Sequence, residues 1–180
     1  PASALPETSV EEAAPEPAQV LQGNWCGVDS DTAVKVTFYD LSDPTQPRLE
    51  KSFQQSGGYR ASQLKGGTLY LLSEWGVSQD PTAQGAALAE LVPATYDSTQ
   101  PAAQLLEAEQ ILLPPDAASA SYGVLSAIGL ATGQAQTQAV LGGAEGFCLT
   151  ADGLSLYVDG GGWTSLLQLE TGSGGFSLAG

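Results

Sequence analysis

The sequence predicts an all-β protein built from four-stranded antiparallel sheets, on the strength of three observations. Short segments rich in β-branched and aromatic residues recur along the chain. Gly-Gly, Asp-Gly and Thr-Gly pairs separate them, and such pairs favour tight hairpin turns. Hairpins of the same kind recur at Thr132 and Thr171, 39 residues apart. This spacing is close to the ~40–45 residues that one radial, four-stranded unit occupies in repeat proteins.

The predicted strands form consecutive hairpins. In the first strand Val34, Val36 and Phe38 share one face, and the turn formers of residues 42–47 follow it. In chain order the predicted strands are 33–41, 48–53, 59–64, 68–75, 121–131, 136–141, 146–150, 154–158, 163–169 and 176–178.

Grouping these strands gives propeller-type blades. The first blade begins at its second strand, near 19–29, the second runs from Tyr59 to about Gly142, and the third runs from Glu145 to the last residue. We therefore expect about two to three blades, arranged as a partial propeller or an open arc.

Two segments depart from the strand pattern. Residues 1–18 contain four Pro and four Glu and no aromatic residue, so they are expected to be a disordered linker ahead of the propeller-like segment 19–180. Residues 76–120 are rich in Ala, Gln and Pro and are interpreted as an insertion in the second blade, with a short helix at 102–110. The alternative treats 89–113 as another outer hairpin, because its ATYD motif resembles the TFYD motif of the first strand.

The charge excludes several functions. Five Lys and Arg against 20 Asp and Glu give a net charge of −15, which repels phosphate backbones and argues against nucleic-acid binding.

The chain has no His, so no Ser-His-Asp or Cys-His chemistry is available. All basic residues lie within 35–65, and the acidic remainder is interpreted as a solubilising surface. No stretch approaches the ~18 apolar residues of a membrane span.

Aromatic residues are the candidates for ligand binding. Trp25, Trp75 and Trp163 could stack on sugar rings, or could be buried in the packing of the blades. Trp75 and Trp163 adjoin Gly-rich or loop segments, so they are the two that we expect to be exposed and to bind ligand.

Asp29 and Asp31 are the candidate metal ligands, because closely spaced carboxylates suit calcium. The chain has no dense Asp-x-Asp-x-Asp-Gly loop, so no cofactor is the first expectation and calcium the alternative. Asp40 and Asp43 are better explained as turn residues that cap backbone amides.

Three patterns could indicate catalysis. Ser62 and Lys65 fit a Ser-x-x-Lys motif, but on a strand residues three apart point to opposite faces. The carboxylate pairs Glu107 with Glu109, and Asp152 with Asp159, could serve a hydrolase only if each pair converged in space. We therefore assign no catalytic residue. Cys26 and Cys148 are either bridged or two free thiols.

The run from Val34 to Leu49 (VKVTFYDLSDPTQPRL) resembles the "VYDISDPxxP" hairpin of bacterial secreted or cell-surface β-propeller proteins, a largely uncharacterised family. Later segments match in order, among them AVLGG at 139–143 and LSLYV at 154–158, so that the resemblance covers about 19–160. It implies a propeller and an extracytoplasmic location, secreted or at the cell surface. Family members carry more chain, so a segment of a propeller, an open arc or a ring completed by other copies is implied here.

Together these observations predict a non-catalytic extracytoplasmic module that binds a protein or a glycan, with self-association also open. The alternatives are a carboxylate-based hydrolase and a structural part of a larger propeller assembly. A hydrolase requires two carboxylates in one pocket, one with a raised pKa.

Overall fold

Thirteen strands account for most of the residues that the structure, a computed structural model, describes: 33–77, 87–114, 121–151, 153–159, 164–172 and 175–178. The strands are β1 (Ala33–Asp40), β2 (Arg48–Ser56), β3 (Gly58–Lys65), β4 (Thr68–Gly76), β5 (Ala94–Asp97), β6 (Gln104–Leu105), β7 (Ile111–Leu112), β8 (Ser121–Gly129), β9 (Ala135–Leu141), β10 (Gly143–Leu149), β11 (Leu154–Asp159), β12 (Thr164–Gly172) and β13 (Gly175–Leu178). One helical turn, α1 (Leu88–Leu91), and one 3-10 turn (Ala108–Gln110) complete the described elements.

The strands form three sheets. Sheet 1 has the order β1-β2-β5-β6, sheet 2 the order β3-β4-β8-β9-β7, and sheet 3 the order β10-β11-β12-β13. Neighbouring strands are antiparallel except β7, which runs parallel to β9. The predicted fold class, an all-β arrangement of four-stranded antiparallel blades forming a partial propeller, is confirmed.

Each sheet packs face to face on the next, because alternate residues of the middle sheet point to opposite sides. On one side, Leu71 and Ile128 of sheet 2 pack with Phe53 of sheet 1. On the other side, Leu72 and Leu125 pack in a larger cluster with residues of sheet 3. Its buried members from sheet 3 are Ala144, Phe147, Leu154, Leu156, Val158 and Leu169. Sheet 2 is thus the centre of a three-layer arc.

Single glycines join consecutive sheets. Gly57 links β2 to β3 with φ 98°, and Gly142 links β9 to β10 with φ 115°. A Cβ on Gly57 would collide with the backbone carbonyl of Glu74, so this joint requires glycine for its space as well as its φ. Gly57 and Gly142 therefore mark the two joints at which a long strand of one sheet leads directly into a long strand of the next.

The chain between β4 and β8 contributes to two sheets. Its strands β5 and β6 extend sheet 1 beyond β2, and β7 lies along the edge of sheet 2. The prediction of a short helix at 102–110 was wrong for most of that range. Gln104 and Leu105 form β6, and only 108–110 make a 3-10 turn. Because β6 pairs with β5, its backbone N–H and C=O groups find hydrogen-bond partners in a neighbouring strand and do not need a helix to supply them.

Residues 1–18, predicted to be a linker, and residues 19–29, predicted to be a strand, lie outside the described residues. Both predictions therefore stay untested. The helices within the described ranges lack the length and apolarity needed to span a bilayer.

Candidate functional site

A cleft opens where the three sheets meet along β9. It has a volume of about 540 Å³ and adjoins a second cavity of about 410 Å³. The two share six lining residues, so we treat them as one cleft: Phe53, Thr95, Gln104, Ala135, Gln136 and Phe176. This size lies within the range that is usual for ligand pockets, about 300–1,000 Å³.

Side-chain amides dominate the polar lining of the cleft. Gln100 follows β5, Gln104 lies on β6, and Gln134 precedes β9, so two different sheets supply them. All three are exposed, and their side-chain amides hydrogen bond to none of the described residues. Each amide offers two donor hydrogens and one acceptor oxygen, so the rim can both donate and accept hydrogen bonds.

Aromatic rings form the apolar part of the cleft. Phe53 is almost fully buried and Tyr70 nearly so, whereas Phe176 of β13 is half-buried and more accessible. The rings of Tyr70 and Phe176 meet edge to face, with centroids 6.3 Å apart and an interplanar angle of 63°. Phe176 thus presents ring surface beside the amides.

Asp97, a charged residue that lines the cleft, forms an ion pair with Lys51. Lys51 Nζ lies 3.0 Å from Asp97 Oδ2 and 5.8 Å from the centroid of the Phe38 ring. Partial burial by itself would raise the pKa of Asp97, but hydrogen bonds from the Thr99 amide and hydroxyl, together with Lys51, lower it below its ordinary value. Asp97 is therefore an ionised, paired carboxylate, the opposite of a general acid with a raised pKa.

Trp75 lies away from this cleft. Its side chain is only 5% exposed and packs with Leu106, Val124 and Ala139. The ring of Tyr122 lies 5.9 Å away at 32°, and burial raises the pKa of that tyrosine. The accessible stacking surface expected at Trp75 is thus absent, because the chain between β4 and β8 folds over it. Trp163, the other aromatic candidate, lies outside the described residues, as does Trp25.

The carboxylates of the β1–β2 turn act locally. Asp40 accepts hydrogen bonds from the Ser42 amide (2.8 Å) and hydroxyl (2.9 Å), and Asp43 accepts the equivalent pair from Thr45. These bonds lower the pKa of both carboxyls, led by the Ser42 amide at Asp40 and the Thr45 hydroxyl at Asp43. Both residues are therefore turn residues, as expected.

The metal prediction remains untested, because Asp29 and Asp31 lie outside the described residues. Within the described ranges, no group of three or more His, Cys, Asp or Glu side chains could hold a metal ion. Cys148 is exposed on sheet 3, and Cys26 also lies outside the described residues, so the question of a bridge stays open.

The Ser-x-x-Lys pattern has no catalytic geometry. Both residues lie on β3, where the Ser62 hydroxyl bonds to the Tyr59 hydroxyl (3.1 Å) and Lys65 donates to the Thr150 carbonyl. Glu107 and Glu109 flank the start of the 3-10 turn, and both are exposed, with Glu109 at the margin of the cleft.

The amides of the cleft were missed by the sequence analysis. One signal was available, because Gln136 and Gln138 alternate along β9 and so share a face, and Gln134 precedes the strand by one residue. Gln100 and Gln104 gave no such signal, since their proximity to β9 depends on the pairing of β5 with β2.

A family model described as "Beta propeller domain" matches residues 4–172. The chain belongs to this family. No curated protein and no solved structure matched it. Membership agrees with the arc of three packed sheets, and it is compatible with an interaction or structural role.

Proposed function

We propose that this protein is a non-catalytic interaction module that binds an uncharged glycan in the cleft. The observation that carries the proposal is the composition of the lining: accessible amides and hydroxyls beside an aromatic ring, with the ion pair of Lys51 and Asp97 compensated internally.

Each part of the lining fits a sugar. The hydroxyl groups of a sugar donate and accept hydrogen bonds, as primary amides do. Its C–H face packs on an aromatic ring such as Phe176. An anionic ligand would meet the net charge of −15 without a free cationic side chain among the cleft residues, and so is disfavoured.

The test is a calorimetric titration of the full chain with neutral hexasaccharides of glucose, N-acetylglucosamine, mannose and galactose, and with an oligogalacturonate as the anionic comparison. We expect at least one neutral sugar to bind and the anionic one not to bind. Gln104→Ala removes at least one hydrogen bond of ~0.5–1.5 kcal/mol, so it should weaken binding by a factor of at least about 2 to 12. Phe176→Ala should weaken it by a similar factor through lost stacking.

Gln46→Ala is the matched control, because Gln46 is an exposed glutamine in the β1–β2 turn and does not line the cleft. Failure of every neutral sugar to bind at millimolar concentration would refute the proposal, as would binding that Gln104→Ala and Phe176→Ala leave unchanged. Binding of unstructured peptides instead of sugars would favour a protein ligand in the same cleft.

We further propose that the protein acts outside the cytoplasm, secreted or held at the cell surface. This is supported by the resemblance of its first hairpin to those of secreted bacterial propeller proteins. Fractionation of the producing cells tests it: the chain is expected in the surface or culture fraction, and recovery with cytosolic markers would contradict it.

A further inference from the structure

The outer edge of β9 includes a short stretch of backbone that has no strand beside it in the part of the chain that the structure describes. β7 pairs with β9 only at Ala139 and Val140, so residues 135–138 have a neighbouring strand, β8, on one side only. All four of these residues line the second cavity of the cleft. Because side chains alternate between the two faces of a strand, four consecutive lining residues indicate that the edge of β9 itself faces the cavity.

The backbone groups on this edge follow from the hydrogen bonds on either side of it. In an antiparallel ladder, successive residues direct their N–H and C=O groups alternately toward one neighbour and the other. The Gln134 carbonyl accepts a bond from the Gly129 amide of β8 (3.0 Å). The Thr137 carbonyl faces away from β8 and accepts a bond from Gln110 Nε2 (3.1 Å). Ala135 faces the same way as Thr137, and neither the Ala135 carbonyl nor the Thr137 amide bonds to a described residue.

The edge of β10 shows which chemical groups fit a carbonyl and an amide placed in this way. There the Gln63 side chain of β3 donates a hydrogen bond to the Phe147 carbonyl and accepts one from the Leu149 amide, both at 3.3 Å. Phe147 and Leu149 are two residues apart, as Ala135 and Thr137 are. A donor and an acceptor held side by side therefore satisfy an edge of this kind.

Two hydroxyl groups on adjacent carbons of a sugar ring also hold a donor and an acceptor side by side. One hydroxyl can donate to the Ala135 carbonyl while the other accepts from the Thr137 amide. We propose that the edge of β9 binds such a vicinal diol, so that the glycan of the cleft is a hexose chain whose linkages leave adjacent hydroxyls free. This inference rests on the proposed function, because it concerns the same cleft and the same class of ligand.

An extended peptide also pairs with strand edges, but it fits this edge poorly. Gln110 occupies the Thr137 carbonyl, and β7 covers the edge from Ala139 onward. Only residues 135–137 remain open, which is shorter than an ordinary strand of roughly 5–6 residues. A ligand that needs one donor and one acceptor is therefore favoured over one that needs a ladder.

Calorimetric titration of the full chain with linkage isomers tests the inference. A 1,4-linked hexose chain keeps adjacent hydroxyls on every internal residue, whereas a 1,3-linked chain keeps none on its internal residues. The two ligands are the 1,4- and 1,3-linked hexasaccharides of the hexose that binds best, with the same anomeric configuration, so that they share composition and charge. Two hydrogen bonds distinguish them, and we expect the 1,4-linked chain to bind about fivefold more tightly or better.

Nuclear magnetic resonance of the isotope-labelled chain locates the contact. The 1,4-linked hexasaccharide should shift the amide resonance of Thr137. The Leu149 amide is the matched control, because it already bonds to Gln63 and lies outside the cleft, so its resonance should stay in place.

Thr137→Pro removes the amide hydrogen without breaking a bond to β8, so it should remove most of the preference for the 1,4-linked chain. Gln46→Ala, outside the cleft, should keep that preference. If the proline variant unfolds, as circular dichroism would show, the Thr137 resonance decides the outcome by itself.

Three results would overturn this inference and leave the proposed function standing. They are equal affinity for the two isomers, a Thr137 resonance that a saturating sugar leaves in place, and binding confined to the N-acetylglucosamine chain, which lacks one of the two hydroxyls. Failure of every neutral sugar to bind would overturn both proposals, as would a peptide that shifts the Thr137 resonance where no sugar does.

Discussion

Gly123→Ala tests the packing of sheet 2 on sheet 3. Gly123 lies on β8, and a Cβ at this position would collide with the Cβ of Ala144 on β10, which is itself 2% exposed. Overpacking of this kind costs about 1–3 kcal/mol. The φ of Gly123 is outside the left-handed region, so alanine also gains about 0.4–1 kcal/mol by restricting the unfolded chain. The first effect is larger, and we expect a net loss of about 1–2 kcal/mol.

Urea unfolding followed by tryptophan fluorescence measures this loss. Ala144→Gly should restore most of it in the double variant, because the methyl group then sits on β8 instead of β10. Gly58→Ala is the control, since nothing lies within 4 Å of a Cβ at that position. The packing of sheet 2 on sheet 3 would be refuted if Gly123→Ala were as stable as the unaltered chain, or if Ala144→Gly gave no recovery.

Three further predictions concern the joints, the ion pair and the core. Gly57→Ala should lower the free energy of unfolding by about 2–4 kcal/mol, because alanine there has a strained φ and a clash with backbone. Gly66 has a positive φ but open space around it, so Gly66→Ala should lower the free energy of unfolding by only about 1 kcal/mol. The midpoints of urea unfolding compare the two variants. Asp97→Asn should destabilise the protein by about 1 kcal/mol at neutral pH. Folding lowers the pKa of Asp97, so its contribution to stability is present above the ordinary carboxyl range and is lost as the pH falls through the lowered pKa. The unaltered chain and the variant should therefore converge in stability in unfolding titrations carried to acid pH. Leu72→Ala, at a fully buried position, should lower the free energy of unfolding by about 2–5 kcal/mol. Leu64→Ala, at a position that is 63% exposed, should lower it by less than about 0.5 kcal/mol. Calorimetry measures both losses.

The hairpins were predictable because their turns are encoded locally. The Gly66-Gly67 turn takes φ values of 58° and 78°, which glycine adopts without strain and most other residues do not. The flanking strands end and begin at the residues next to it. The turn at Gly133, with φ 60°, follows the same rule. Alternation of apolar residues along β1 then indicated which face is packed, and Val34, Val36 and Phe38 do lie toward sheet 2.

The cleft was not predictable by these means. Its residues extend from Phe53 to Phe176 and converge only after three sheets have packed. The likeness of ATYD to TFYD did carry information: Asp97 bonds to the Thr99 amide and hydroxyl as Asp40 bonds to those of Ser42. Which sheet this second copy of the motif joins was not encoded locally, since β5 pairs with a strand some 40 residues earlier along the chain.

The chain between β4 and β8 explains both the cleft and the burial of Trp75. Its strands β5 and β6 belong to sheet 1, whereas β7 belongs to sheet 2, so the same segment bridges two neighbouring sheets. Leu106, between those strands, packs on Trp75, and the Gln110 side chain bonds to the Thr137 carbonyl of β9. These contacts hold Gln104 opposite β9. Without them each sheet would keep its core, but the amides from β6 would have no fixed position relative to Phe176. The cleft is therefore formed by this bridging segment packed over a repeated scaffold, which is why the repeat alone predicts the fold and not the cleft.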